Sequence, residues 1–155
     1  MALRLFSSLI VWLVIGLAPS TAAWSQDLPQ MTLQRARLGA GMYQIDVQLA
    51  LTPAEQQTGL MHRKDLAQQE GMLFVFPQPL TQCVWMKNTL LPLTAAFVAD
   101  DGRIVNLVDM KPLSLDSHCS EEPVRYVLEM NQGWFARKNI KAGFKLSGTP
   151  FQTSR

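Results

Sequence analysis

The sequence predicts a mainly β protein, a single compact β-sandwich or barrel-like domain with one short capped helix. Residues 42–50 alternate between apolar and polar side chains, which is the period of a half-buried strand. Seven or eight short segments of this kind are separated by turn-forming residues, a pattern typical of sandwiches and barrels. Only one segment carries a strong helix-start signal, and nothing marks a second domain within residues 31–148.

The first predicted elements are a hairpin and the helix. Residues 31–38 and 42–50 form two strands joined by a glycine-containing turn. The helix spans residues 53–58, with Thr52 as its N-cap and Glu55 completing a capping box. Proline occupies its first helical position and glycine follows its last residue, which are the preferred places for both.

Short strands follow in the rest of the chain. They are predicted at residues 71–76, 83–89, 93–99, 103–110, 124–130 and 143–147. Two prolines are expected to stop the first of these, and an Asp-Asp-Gly turn joins the third and fourth as a hairpin. In the strand at 124–130, Val124 and every second residue after it are expected to face inward, so Val127 and Glu129 are expected to face outward. Residues 111–123 are predicted as a loop and 133–139 as a helical turn or loop.

Composition excludes several function classes. The formal charge of +2 and the mixing of basic with acidic residues argue against a nucleic-acid partner, because such binding rests on concentrated positive charge. No phosphate-binding loop, nucleophile elbow or metal-ligand spacing is visible, so we predict no cofactor and no metal. The partner is then an unknown small molecule or protein.

Residues 1–25 have the order of a secretory signal peptide. A short basic start precedes an uncharged apolar run at residues 5–18, and small residues follow, with cleavage expected near residue 23 or 25. An uncleaved membrane anchor is the alternative, but the run is shorter than the roughly 20 residues that a span needs. We therefore predict a periplasmic or secreted protein with no stable membrane span after cleavage.

The chain has two cysteines, Cys83 and Cys119. An even number in an exported protein favours a disulfide. Free thiols, or a redox or metal pair involving the neighbouring His118, are the alternatives. Four ligands at metal-site spacing are not visible, and no C-x-x-C motif occurs.

Residues 83–89 (CVWMKNT) place an indole, a thioether, an ammonium, an amide and a hydroxyl within one short stretch. If the stretch is an extended strand, its side chains alternate between two faces. We predict a ligand-binding cleft here, whose candidate residues are Arg63, Trp85, Lys87, Asn88, Thr89 and Glu129. The alternative is structural: Lys87 forms a cross-strand salt bridge, with Glu129 or Asp109, beside an aromatic core residue.

Several segments also occur in the order of one known family. They are GLMHR at 59–63, GMLFVF at 71–76, WMKNTLLPL at 85–93, DGRIV at 101–105 and RYVLE at 125–129. The chain resembles the domain of unknown function 192 family, an uncharacterised bacterial and archaeal group often found with export signals. The resemblance implies a β-sandwich or barrel-like domain and supplies no reaction. Where many members have an acidic residue this chain has Thr94, which weakens a catalytic hypothesis, and Cys83 in place of phenylalanine strengthens the disulfide prediction.

Three hypotheses of function follow. The first is a non-catalytic small-ligand or partner-binding module with its cleft around residues 85–89. The second is an enzyme of unknown reaction that uses Lys87 and Glu129 as an acid/base pair, which requires the two groups to be within hydrogen-bond reach. The third is a structural or interaction protein, for which an exposed apolar patch is expected.

Overall fold

The computed structural model describes residues 28–151, so the predicted signal peptide lies outside the described residues. The elements are β1 (Arg35–Ala40), β2 (Tyr43–Ala50), α1 (Pro53–Thr58), β3 (Glu70–Leu80), β4 (Cys83–Val84), β5 (Leu93–Val98), β6 (Ile104–Met110), β7 (His118–Cys119), β8 (Val124–Asn131) and α2 (Trp134–Arg137). The mainly β prediction is confirmed. Within residues 28–151, no helix has the length and apolar character needed to cross a membrane.

Six strands form one mixed sheet in the order β1-β2-β3-β8-β5-β6, and β4 pairs with β7 in a separate two-stranded sheet. All pairings are antiparallel except that of β2 with β3, which are parallel. A parallel pair needs a crossover connection, and α1 lies in the connection between these two strands. The sheet does not close on itself. Isolated bridges Gly39–Ser147 and Arg103–Lys145 link its two edges to the C-terminal segment.

Both faces of the large sheet are buried. On one face an apolar cluster includes Trp134, Phe135 and Leu146 of the C-terminal segment. On the other, Leu60 and Met86 pack with residues of β3, β5 and β8. We call the segments over this second face, residues 51–69, 81–92 and 111–123, the cover layer. The central strands therefore bury both sets of their alternating side chains.

The burial of both faces corrects the predicted orientation of β8. Val127 and Glu129 were expected to face outward, but they are 0% and 4% exposed. The expectation treated the strand as half-buried, whereas β8 lies between β3 and β5 and beneath the cover layer. A strand buried on both faces loses the contrast between an apolar and a polar side on which the prediction relied.

The two predicted hairpins and the capped helix are confirmed. β1 with β2, and β5 with β6, form antiparallel pairs joined by short turns. At the start of α1 the Thr52 hydroxyl accepts a hydrogen bond from the Glu55 backbone N–H, and the Glu55 carboxylate accepts one from the Thr52 backbone N–H. The chain has a second short helix, α2, where a helical turn or loop was predicted.

Three strand boundaries differ from the prediction. β3 continues through both prolines to Leu80, because they lie where its pairing with β8 is irregular, between Val75 and Leu80. Residues 143–147 contribute only isolated bridges. Of the strand predicted at residues 83–89, only Cys83–Val84 is extended in a ladder, and the remainder turns.

Candidate functional site

A cavity of about 240 Å³ lies between the cover layer and the large sheet, and we call it the Glu129 cavity. α1 and the turn after it form one wall, β3 a second, and the chain around β4 a third. The lining residues are Gln56, Gln57, Thr58, Gly59, Leu60, Met61, Phe74, Phe76, Cys83, Val84, Trp85, Thr89 and Glu129. Three rings and several aliphatic groups make most of this surface apolar.

Glu129 is the only ionisable side chain among the described residues that line the cavity. Its strand is paired on both sides, with Met72 and Ala95 as cross-strand neighbours, and its side chain is only 4% exposed. No hydrogen bond or ion pair within residues 28–151 reaches its carboxyl group, whose oxygens are not among the fully buried unpaired atoms of these residues. Burial raises the pKa of Glu129 to about 8, because the charged form loses its hydration without gaining a partner.

Aromatic side chains form much of the remaining wall. Phe74 and Phe76 come from β3, with Phe74 buried and Phe76 partly exposed. Trp85 is 46% exposed, so its ring stands at the rim between the cavity and solvent. The Lys87 ammonium lies 5.4 Å from the centroid of that ring, although Lys87 itself is not a lining residue. The rim therefore presents an aromatic face that a cation already approaches.

Residues 86–89 form a turn and not the predicted strand. The backbone N–H of Thr89 donates to the Met86 carbonyl, and Asn88 adopts a φ of 53°. Asparagine tolerates this left-handed conformation better than most residues, which explains its place in the turn. As a result Met86 and Thr89 are buried, whereas Lys87 and Asn88 are exposed. The turn brings Thr89 to the cavity and leaves Asn88 outside it.

Arg63 lies outside the Glu129 cavity. Its side chain is 3% exposed and donates to the backbone carbonyl of Gln30 and to Oε1 of Gln48, while its Nε is buried without a partner. Burial lowers the pKa of Arg63 from its ordinary value, and the negative charge of Glu70 opposes that shift. These contacts fix the N-terminal segment to β2.

The six candidate residues are thus divided by the structure. Trp85, Thr89 and Glu129 come together in the cavity, and Lys87 approaches only its rim. No ion pair joins Lys87 to Glu129 or Asp109 in the part of the chain that the structure describes. The backbone N–H of His62 donates to the carbonyl of Asn88, which links the segment GLMHR to the segment WMKNT.

Cys83 and Cys119 form a disulfide with an S–S distance of 2.08 Å, as predicted. The two residues are directly paired across the antiparallel β4–β7 ladder, and both are exposed. Cys83 also lines the cavity. The bridge therefore anchors one wall of the cavity to the loop between β6 and β8.

Sequence reasoning missed the α1 wall and the two phenylalanines. Gln56, Gln57 and Thr58 have the composition of an ordinary exposed helix face, and Phe74 and Phe76 that of a buried strand. Their location depends on how α1 packs over β3, which no local pattern encodes. The one available signal was Glu129 itself, a carboxylate flanked by the apolar residues Leu128 and Met130.

A second cavity, of about 610 Å³, lies beside β6 and residues 133–142. Its buried polar side chains are satisfied. The Thr94 hydroxyl donates to Asp109 and accepts from the Gly133 backbone N–H, and the Asn106 side chain bonds to backbone groups of Cys119 and Glu121. Thr94 lines this second cavity and not the Glu129 cavity. Among residues 28–151 no cluster of His, Cys, Asp and Glu is arranged to hold a metal ion.

Comparison with known proteins gives a family and two solved structures. A sequence model of the DUF192 family, described as Uncharacterized ACR, matches residues 36–148. No curated protein matches the chain. The crystal structure of a "putative transcription regulator" from Sinorhizobium meliloti 1021 is 36% identical, with a TM-score of 0.73, and the match covers 77% of this chain and 97% of that one.

The second structure is a protein of unknown function from Novosphingobium aromaticivorans DSM 12444. It is 34% identical with a TM-score of 0.67, and the match covers 74% of this chain and 84% of that one. Both structures are similar to this chain in sequence as well as in fold, and the family match covers the elements from β1 to α2 except the first residue of β1.

Proposed function

This chain belongs to the DUF192 family of uncharacterised proteins, and on that premise we propose that it binds a small, mainly apolar molecule in the Glu129 cavity. We propose further that it does so outside the cytoplasm. The exposed disulfide supports an oxidising compartment, and the order of basic, apolar and small residues at the N-terminus supports export.

The unpartnered carboxyl of Glu129 carries this proposal. A buried polar group without a hydrogen bond costs free energy, roughly 1–3 kcal/mol, and a buried charge costs more. A methionine or leucine at this position would pack against Met72 and Ala95 without that cost. A carboxyl that is kept unsatisfied and directed at a cavity is the arrangement expected of a binding site, where the ligand supplies the missing partner.

The lining supports a ligand with an apolar body and one polar group. Phe74, Phe76 and Trp85 provide flat apolar surface, and Leu60 and Met61 provide aliphatic surface. The volume of about 240 Å³ suits a molecule with one or two rings. Ligand sites commonly combine such walls with a few placed polar groups that fix orientation.

A fragment screen by NMR tests the proposal. The ¹⁵N-labelled mature chain is titrated with small one-ring and two-ring compounds, and bound fragments should shift the amide signals of Gly59, Leu60, Trp85 and Glu129 together. Phe76→Trp, which fills the cavity, should remove these shifts, whereas Leu107→Trp in the second cavity should not. Shifts confined to the second cavity, or no saturable binding by any fragment, would overturn the proposal.

An enzymatic role has one observation in its favour, the raised pKa of Glu129. A carboxylic acid with a pKa of about 8 stays protonated at neutral pH and can act as a general acid. The exposed position of Lys87, without a contact to Glu129, supports a binding role over the proposed acid/base pair. The description of the Sinorhizobium protein as a regulator applies to that protein. In this chain Arg35, Arg103, Arg125 and Lys145 are paired with acidic side chains, which disfavours a surface for nucleic acid.

A further inference from the structure

We infer that the ligand of the Glu129 cavity carries a cationic hydrogen-bond donor, an ammonium, amidinium or guanidinium group, on its apolar body. The inference rests on the proposed binding function and names the chemical class of its ligand. Three properties of the lining lead to it: which hydrogen-bonding atoms are free, which charge is present and which rings surround it.

Three of the polar side chains that line the cavity have used their donors, whereas Gln57 and the indole N–H of Trp85 donate no hydrogen bond within residues 28–151. Nε2 of Gln56 donates to the backbone carbonyls of Ala50 and Val75. The hydroxyl of Thr58 donates to the Ala54 carbonyl, and that of Thr89 donates to the Lys87 carbonyl. What these side chains still offer is acceptor capacity, on the Gln56 carbonyl oxygen and the two hydroxyl oxygens. A ligand that complements them must bring donors.

The charge of the cavity has the same implication. Glu129 is the only ionisable side chain among the described lining residues, and the five ion pairs of residues 28–151 all lie elsewhere. A carboxylate in an apolar site is stabilised when a cation enters beside it, because the pair recovers part of the desolvation cost. A second anion there would be repelled by the ionised carboxylate.

The rings favour a cation as well. Phe74, Phe76 and Trp85 line the same space, and the face of an aromatic ring attracts positive charge. The Lys87 ammonium, 5.4 Å from the centroid of the Trp85 ring, shows that this ring accommodates a cation at the rim. An aromatic wall combined with one carboxylate is well suited to an organic cation.

The pH dependence of binding separates a cation from a neutral ligand. Burial raises the pKa of Glu129 to about 8, so a cation that binds the ionised form displaces a proton at lower pH. Affinity for a permanently charged cation should therefore rise by up to about tenfold per pH unit below pH 8 and level off above it. A neutral acceptor that uses the protonated carboxyl would show constant affinity below pH 8 and a loss above it.

Three probes of one shape and different charge test the inference: benzamidine, benzamide and benzoate. Each is titrated by calorimetry into the mature chain between about pH 6 and pH 9. We expect benzamidine to bind at least tenfold more tightly than benzamide at pH 8, with proton release at pH 7, and benzoate not to bind. In Glu129→Gln the benzamidine affinity should fall by about tenfold or more at pH 8 and lose its pH dependence. Glu122→Gln, an exposed carboxylate paired with Arg103, is the matched control and should bind as the wild type does.

The outcomes distinguish the inference from the proposed function. If benzamide or benzoate binds as well as benzamidine, or if Glu129→Gln leaves the benzamidine affinity unchanged, the ligand is not a cation, while the cavity remains a binding site. If none of the three probes binds and the fragment screen also fails, both the inference and the proposed function are wrong. Glu129→Gln is expected to fold, because the amide has the shape of the protonated carboxyl that it replaces.

Discussion

Glu129 occupies a position whose surroundings would suit an apolar residue. Its cross-strand neighbours Met72 and Ala95 are 0% exposed, and Val127, on the same face of the strand, is also fully buried. The carboxyl group is therefore a local cost to the fold, and that cost depends on pH. Below its raised pKa the group is neutral and the cost is small, whereas above it the charge must be held in an apolar site.

Glu129→Gln should remove a pH-dependent loss of stability. The pKa of Glu129 is about 8 in the folded protein and near the ordinary 4.5 when unfolded, so between these values the folded state binds more protons. The free energy of unfolding should then fall as pH rises from about 4.5 to 8, by roughly 3–6 kcal/mol in total, and flatten above pH 8. In Glu129→Gln this component is absent, so the variant should be more stable than the wild type at pH 9.

The measurement is urea unfolding at half-unit pH steps, with Glu122→Gln as the control for a lost surface charge. The difference in unfolding free energy between Glu129→Gln and the wild type should grow with pH and reach a plateau near pH 8. A difference that does not change with pH would show that Glu129 ionises in the folded protein as it does in water.

Arg63 should contribute to stability and not to ligand binding. In Arg63→Ala the carbonyl of Gln30 and the amide oxygen of Gln48 lose their guanidinium donor in a buried setting, for an expected cost of about 2–4 kcal/mol. The exposed neighbour Lys64 provides the control, and Lys64→Ala should change stability by less than about 0.5 kcal/mol. Chemical denaturation gives both values. Folded Arg63→Ala should retain the wild-type affinity for cavity ligands, and a selective loss of affinity would return Arg63 to the binding site.

At the scale of elements, the sequence predicts what local chemistry determines. The capping box at Thr52 and Glu55 satisfies backbone groups three residues apart, so it can be recognised without knowing the fold. The two hairpins are similar, because turn residues and alternation act within a few residues of each other. The signal for a disulfide was global, an even cysteine count in a chain predicted to be exported, and it named the right pair.

The predictions that were wrong concern features that depend on distant parts of the chain. Residues 86–89 alternate well enough for a strand, but hydrogen bonds from His62 and Leu113 to the carbonyls of Asn88 and Thr89 hold them as a turn against two other loops. The outward orientation of Glu129 failed for the same reason, since the cover layer that buries it is built from three separated segments. Of the six candidate residues, Trp85, Thr89 and Glu129 line one cavity, whereas Arg63, Lys87 and Asn88 do not.

The cap of α1 should be worth about 1 kcal/mol. Thr52→Ala removes the hydroxyl that accepts from the Glu55 backbone N–H, and substitution of such caps by alanine typically costs 0.5–2 kcal/mol. Thr52→Ser keeps the acceptor and should be within a few tenths of the wild type. Thermal unfolding of the three proteins at one pH measures the differences. An equal loss in the serine variant would indicate that the threonine methyl group, and not the cap, stabilises this end of the helix.

At the scale of the whole molecule, the chain is a sheet with two different coverings. The C-terminal segment covers one face with large apolar side chains, including Trp134 and Phe135, so that face is stabilised mainly by packing. The cover layer over the other face has little regular structure, and its β4–β7 ladder contains two residue pairs. Backbone hydrogen bonds donated by Met86 to Ser114 and by Leu113 to Thr89 join two of its segments. The disulfide cross-links the same two segments. The candidate site lies under the less regular covering.

The disulfide should therefore stabilise the fold and also preserve the cavity. Cys83 and Cys119 are separated by 36 residues, and closing a loop of that size is worth roughly 4 kcal/mol by the loss of unfolded-state entropy. The double variant Cys83→Ser/Cys119→Ser should unfold at lower denaturant concentration by about that free energy. Because Cys83, Val84 and Trp85 form one wall of the cavity, the folded variant should also bind cavity ligands several-fold more weakly.

Guanidinium unfolding and ligand titration of the double variant measure the two effects. Wild-type protein treated with a reducing agent should behave like the variant, and Ser117→Ala, beside the bridge and exposed, should behave like the untreated wild type. The two readouts separate the roles of the bridge. A loss of stability with unchanged ligand affinity would mean that the hydrogen bonds of the turn at residues 86–89 hold the wall without it. A loss of affinity larger than the loss of stability explains would mean that the bridge also positions Trp85 at the rim of the cavity.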